Sequence, residues 1–273
     1  MLPTPQFPSK KFTEDFIRPL RYYFAPQIIG LDTLDISRPA LYVGNHTLFG
    51  LTDGIFLGVE MYLQRDLQLR TLVDELHMEM PWWRDMVQKI GFVKGSRENC
   101  TALMEAGEHI LVFPGGRREI FKNKGEAYKL RWENRYGFVR MAIQHGYDII
   151  PVAGVGGEET YQILVDGKDI LQSPLGLALK ATGVADKFLK GGEYLLPITK
   201  GVGWTGLPKP ERLFVKLGAR IPTAHLDAEQ ADEAVLEAVK TQVETAFEGL
   251  FGELHEVRKA TRDEPWRWML KRW

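Results

Sequence analysis

Short apolar runs alternate with amphipathic stretches along most of the chain. ALYVG (40–44), LRTLVD (69–74), EHILVF (108–113) and YDIIPVAGV (147–155) read as strands buried on both faces. Glu98–Ala106 and Tyr136–His145 lie between them and carry helix-like spacing. LLPITKGV (195–202) and RLFVKLG (212–218) are expected to be later strands. From Ala224 to Ala260 one stripe holds Val235, Val239, Val243, Ala246, Leu250 and Leu254, which predicts a long helix with one apolar face. Phe12–Phe24 mixes aromatic and charged residues, and Pro19 and Pro26 are expected to limit any helix there. Such alternation predicts an α/β fold with a mixed central sheet flanked by helices. No linker divides the chain, so residues 1–273 are read as a single domain, with a basic aromatic tail at 261–273.

Composition narrows the class. The 273 residues are 44% hydrophobic and 26% charged, and the formal net charge of -1 gives no chain-wide footprint for nucleic acid. The most apolar long stretch, Pro39–Val59, holds Asn45, His46 and Asp53, which are costly in lipid, so no membrane span is expected. The N-terminal MLPTPQFPSKKF lacks the apolar core of a secretory signal. Cys100 has no cysteine to pair with, which fits a reducing compartment. The chain is therefore expected in the cytoplasm, either free or resting on a membrane surface.

Several chemistries are disfavoured. Ser9, Ser37, Ser96 and Ser173 never fall in G-x-S-x-G, and no G-x-x-x-x-G-K-[ST] is present. GVGGEE fails the dinucleotide-binding spacing. The six histidines form no H-x-x-x-H, and there is no cysteine pair, so no metal site is expected. Cys100 reads as a small buried helix residue rather than a nucleophile.

Three blocks remain. In VGNHTLFGLTD, a strand runs into Asn45-His46, and Asp53 follows. Strand ends are where α/β folds place their sites, a histidine there can take a proton near neutral pH, and a carboxylate on its other nitrogen fixes the tautomer. A hydrogen-bonded structural histidine fits this segment equally well. In EHILVFPGGRREIF, Gly115 and Gly116 permit close backbone approach to a ligand, Arg117 and Arg118 suit phosphate, and Glu119 follows. GFVKGSREN carries Lys94 and Arg97 in another glycine-containing turn ahead of a helix.

In this order the blocks resemble the PlsC-like glycerolipid and lysophospholipid acyltransferase superfamily. The matching motifs are Asn45-His46…Asp53, Gly91-Phe92-Val93…Arg97, Phe113 to Glu119 and Ile150-Pro151-Val152. Phe-Pro-Gly-Gly with Arg-Glu, together with Lys124–Leu130, is most similar to the monoacylglycerol and diacylglycerol acyltransferase-like branch, phytyl-ester-synthase-like sequences included. The resemblance covers about residues 20–220. It implies the glycerol-3-phosphate acyltransferase-like fold and transfer of a fatty acyl group from acyl-CoA or acyl-carrier protein to a lipid hydroxyl of a glyceride, lysophospholipid or long-chain alcohol. His46 and Asp53 would be catalytic. Asn45, Arg97, Gly115, Gly116, Arg117, Arg118 and Glu119 would contact substrate. No metal or organic cofactor is implied. Two departures stand out. Six residues separate His46 from Asp53 where the family has four, and seven helical positions advance about 10 Å, so contact needs an irregular loop bent near Gly50. Gly115 replaces the glutamate of phospholipid-making members, which favours a neutral acceptor. The same pair activating water would make a thioesterase or ester hydrolase, and a vestigial site would leave a lipid-binding protein. For the membrane, the expected contacts are the tail PWRWMLKRW (265–273), Pro81–Arg84 and Arg18–Phe24.

Overall fold

The computed structural model describes residues 4–50, 54–79, 81–170, 172–174, 176 and 195–272. A seven-stranded sheet has the order β1-β9-β6-β2-β5-β3-β4. Its strands are β1 (Gln27–Ile29), β2 (Ala40–Gly44), β3 (Arg70–Val73), β4 (Phe92–Lys94), β5 (Ile110–Val112), β6 (Asp148–Val155) and β9 (Phe214–Leu217). From β6 to β4 the pairing is parallel, whereas β9 runs antiparallel to β6 and parallel to β1. The sheet is therefore mixed, and its parallel part puts five strand ends along one edge.

The central strand β2 shows why its sequence is an unbroken apolar run. Leu41 and Val43 join one core with Leu103 of α5 (Arg97–Glu105), Val139 and Ala142 of α7 (Gly137–Gln144), and Val243 and Phe247 of the long helix Glu233–Ala260. Ala40 and Tyr42 face the other way, onto Leu57 and Met61 of α2 (Ile55–Arg65). Alternate residues thus enter two different cores, and neither face can be polar.

Three expectations need correction. Lys10–Phe24 is one helix, α1, with Pro19 inside it. An internal proline costs about 3 kcal/mol, and several contacts oppose that cost. Ser9 caps the start by accepting from the Phe12 amide, Ile17 and Phe24 are buried, and Arg21 pairs with Glu60 of α2 at 2.6 Å. The helix ends where Ala25 turns left-handed ahead of Pro26. The long helix begins at Glu233 rather than Ala224. Upstream, the Asp148 carboxylate takes the amides of Thr223 and Ala224, and Asp227 takes that of Glu229, until Asp232 caps the helix through the Val235 amide at 2.9 Å. Only Ile198–Lys200 (β8) of 195–202 is a strand, and it pairs with β7 (Gln162–Val165) in a ribbon outside the main sheet. β1 and β4 are strands that the apolar runs did not mark.

Candidate active site

The C-terminal ends of the parallel strands bring the motif residues to one edge. Asn45 and His46 follow β2, Phe113 and Pro114 follow β5, Asp74 follows β3, and Gly95 to Arg97 follow β4. Gly156 to Glu158 follow the neighbouring β6.

Asn45 is buried and bridges to the next strand. Its Nδ2 donates to the Gly154 carbonyl at 3.2 Å, and its Oδ1 accepts from the Gly154 amide at 2.8 Å. The side chain thereby continues the β2–β6 ladder one residue past the strand and fixes where the chain turns. Its carboxamide is thus committed within the protein.

His46 is half-buried, and its ring stacks on Phe113 with centroids 4.2 Å apart and planes 17° from parallel. Phe113 occupies space that Gly44 leaves open: a Cβ at 44 would lie 2.6 Å from the Phe113 ring. The backbone of His46 is held on both sides. Its amide donates to Oε2 of Glu119 at 3.0 Å, and its carbonyl accepts from Nζ of Lys122 at 2.7 Å. Glu119 lies in α6 (Arg117–Ile120), is fully buried, and accepts with its other oxygen from the Arg131 amide at 2.9 Å. Lys122 is buried too. It pairs with Glu158 at 2.5 Å, and the second oxygen of Glu158 accepts from the Leu48 amide at 3.2 Å. Burial pushes the Glu119 carboxyl up from its ordinary value, while Lys122 and the two backbone amides pull it back.

Beyond His46 the chain is irregular. Leu48–Gly50 forms a short 3₁₀ turn, and Phe49, Gly50 and Gly54 all have positive φ (64°, 61° and 70°). Asp53 lies outside the described residues. Glu119, expected at the substrate, has its carboxylate turned inward onto two backbone amides instead. Gly115 is buried, and Gly116 has φ 51° and donates its amide to the Phe113 carbonyl at 3.1 Å, closing the turn. Arg135 secures this loop, donating to the carbonyls of Pro114 at 2.6 Å and Gly115 at 2.8 Å.

The three arginines take separate positions. Arg117 makes a two-pronged contact with Asp74, at 3.0 and 2.5 Å. Arg118 pairs with Glu133. Arg97 is exposed at the first turn of α5, whose start Ser96 caps through the Asn99 amide at 3.1 Å. An anion arriving here would exchange with Asp74 and Glu133 for their arginines.

Sequence reading did not single out Lys122, Glu158, Arg131 or Arg135. The only cues were that Lys122 lies three positions beyond Glu119 and that Glu158 follows the glycines ending β6. Charged residues in such places are ordinarily solvated. An apolar cleft lined by Leu57, Leu111, Phe113, Val152, Val155 and Leu213 adjoins Asn45 and Thr47. Among the described residues, no group of three or more His, Cys, Asp or Glu side chains is placed to hold a metal ion.

The Acyltransferase family model matches residues 25–155. Phytyl ester synthase 2, chloroplastic, of Arabidopsis thaliana is 30% identical over 253 residues, covering 89% of this chain and 35% of that protein. Phytyl ester synthase 1, chloroplastic, of the same plant is 29% identical over 258 residues, covering 89% of this chain and 36% of that protein. The chain thus spans about a third of the length of these relatives. The crystal structure of the 1-acyl-sn-glycerophosphate (LPA) acyltransferase PlsC from Thermotoga maritima is similar with a TM-score of 0.46 and 14% identity, over 88% of this chain and 79% of that one. The family match runs from just before β1 to the end of β6 and so includes His46, Phe113 and Glu119; over these residues the chain carries an Acyltransferase-family domain, and the relatives above support the PlsC-like acyltransferase superfamily.

Proposed function

We propose that this protein transfers a fatty acyl group from a thioester, acyl-CoA or acyl-carrier protein, to a lipid hydroxyl, with His46 as general base. The observation that carries the reading is the setting of His46. It sits at the end of the central strand, its backbone is fixed on both sides, its ring rests on Phe113, and an apolar cleft adjoins the site. The imidazole takes the proton of the acceptor hydroxyl as its oxygen attacks the thioester carbonyl. The C–O bond forms, the C–S bond then breaks, and the imidazolium returns the proton to the departing thiolate. A positioned base of this kind contributes about 10²–10⁴-fold, and alignment of the two substrates supplies much of the remainder. Asp53 is the proposed partner of the imidazole.

Arg97, Arg117 and Arg118 are proposed to receive the phosphates of the donor. The acceptor is proposed to be a neutral glyceride or long-chain alcohol. Gly115 in place of the glutamate of phospholipid-making members supports this, as do the relatives named phytyl ester synthases.

A lipid acceptor implies work at a membrane surface. Among the described residues no helix is long and apolar enough to cross a membrane. Phe12, Phe16 and Leu20 are exposed on one side of α1, and Trp268 and Met269 are exposed on the terminal helix Pro265–Arg272. Tyr22 stacks on Trp266 at 5.1 Å where these helices meet. This surface is the proposed lipid contact, together with Trp82 near the start of α4 (Pro81–Lys89). Arg267, expected among the lipid-facing cations, is instead buried against the protein.

Purified protein incubated with labelled acyl-CoA and a panel of acceptors, followed by lipid separation, tests the reading. Labelled ester on a neutral alcohol or glyceride is expected. Label released only as free fatty acid would make the protein a hydrolase, and acceptance of lysophosphatidate alone would overturn the neutral acceptor.

A further inference from the structure

Glu119, Lys122 and Glu158 form a buried chain of charge beneath the His46 turn, contributed by α6, the residue pair that follows it and the loop after β6. Between them they take the His46 amide, the His46 carbonyl and the Leu48 amide. A solvated turn would leave these groups to water. Burying two carboxylates and an ammonium here is costly, and the expense goes into fixing three backbone groups, two of His46 and one of Leu48, around one side chain. The third observation is steric. A Cβ at Gly115 would fall within the Glu119 carboxyl group. The carboxylate therefore fills the space a side chain at 115 would take, and position 115 must be glycine while Glu119 is there.

We infer that Glu119, supported by Lys122 and Glu158, is the positioning residue of the catalytic histidine, and that position 115 is the alternative place from which the same carboxylate could be supplied. This rests on the reading of His46 as general base. Glu119 accepts two backbone N–H groups with two oxygens, an arrangement that glutamine cannot reproduce because its amide nitrogen would face one of those donors. A misplacement of about 1 Å in a reacting group can cost about 100-fold in rate, while substrate affinity, set elsewhere, is retained.

Three variants decide it. Glu119→Gln is expected to lower kcat by about 100-fold and to leave the KM values for acyl-CoA and acceptor within about twofold. Gly115→Asp alone sets two carboxylates in one space and is expected to cripple the enzyme. Gly115→Asp combined with Glu119→Ala returns one carboxylate to that space and is expected to regain most of the kcat. A folded Glu119→Gln protein with wild-type kcat, or with its whole loss in KM, overturns the inference. If Glu119→Gln fails to fold, the double variant decides: a folded, active protein supports positioning, and an inactive or unfolded one refutes it. His46→Ala, assayed beside them, separates the two levels. Full activity there removes the general-base reading itself, whereas a dead His46→Ala with an unaffected Glu119→Gln removes only the positioning role.

Discussion

The imidazole of His46 lies nearly flat on the ring of Phe113, with centroids 4.2 Å apart and planes 17° from parallel. The two residues are 67 positions apart and meet because β2 and β5 are adjacent parallel strands in register, Val43 opposite Val112. Aromatic contacts of this type contribute about 0.5–1.5 kcal/mol beyond area burial, and this one limits how the histidine ring can turn. Phe113→Leu keeps an apolar filler but gives up the flat face. It is expected to lower kcat about tenfold with a loss of stability of about 1 kcal/mol. Steady-state kinetics beside a denaturant melt checks this, and an unchanged kcat would show that the stacking does not orient the base.

Of the strands that build this edge, β2, β5 and β6 were legible because each enters apolar cores on both sides, whereas the short β4 was not. ALYVG corresponds to β2 residue for residue, and YDIIPVAGV differs from β6 only by Tyr147, which is buried just ahead of the strand. The helix through Pro19 was not legible, since its support comes from Glu60 on α2 and from Arg267 near the other end of the chain. Nor was the start of the long helix, where Asp148 diverts the backbone at Thr223 and Ala224. At the site, His46, Asn45 and Glu119 carried recognisable spacing. The inward use of Glu119 did not show, because its partners Arg131 and His46 are defined by folding rather than by any local pattern. Lys122 and Glu158 gave less signal still: they are 36 positions apart and pair only once β6 lies beside β2.

Arg267 ties the two ends of the chain together. It is almost fully buried and donates to the carbonyls of Tyr22 and Tyr23 at the end of α1 and to that of Pro210, while Glu264 pairs with its Nε at 3.0 Å. A guanidinium at the C-terminal end of a helix also meets the favourable end of the helix dipole. Arg267→Ala leaves those carbonyls without their donor and is expected to cost about 2–4 kcal/mol. The terminal helix should then exchange its amide hydrogens faster than in the wild type. Hydrogen-exchange mass spectrometry of residues 262–272 reads this directly, and identical protection in both proteins would mean that the helix is held by its tryptophans alone.

Cys100 is buried in α5, and burial pushes its thiol up to about 11. At pH 8 the native thiolate fraction is then about one in a thousand, so iodoacetamide should label the folded protein very slowly and the urea-unfolded chain quickly. The linked effect on stability has a definite sign. The unfolded thiol ionises first, near pH 9, so this residue removes stability as pH rises from about 9 to about 11 and has no effect below that window. A Cys100→Ala protein should lack this part of the alkaline decline in Tm. Rapid labelling of native protein at pH 8 would contradict the burial.

The central claim is that His46 takes the proton of the acceptor hydroxyl. Its most direct test is the turnover number of His46→Ala in the labelled acyl-CoA assay, measured on protein whose circular dichroism and Tm match the wild type. Removing a positioned general base is expected to lower kcat by about 10²–10⁴-fold, with the KM for acyl-CoA little changed. Folded His46→Ala protein that turns over at close to the wild-type rate would contradict the account.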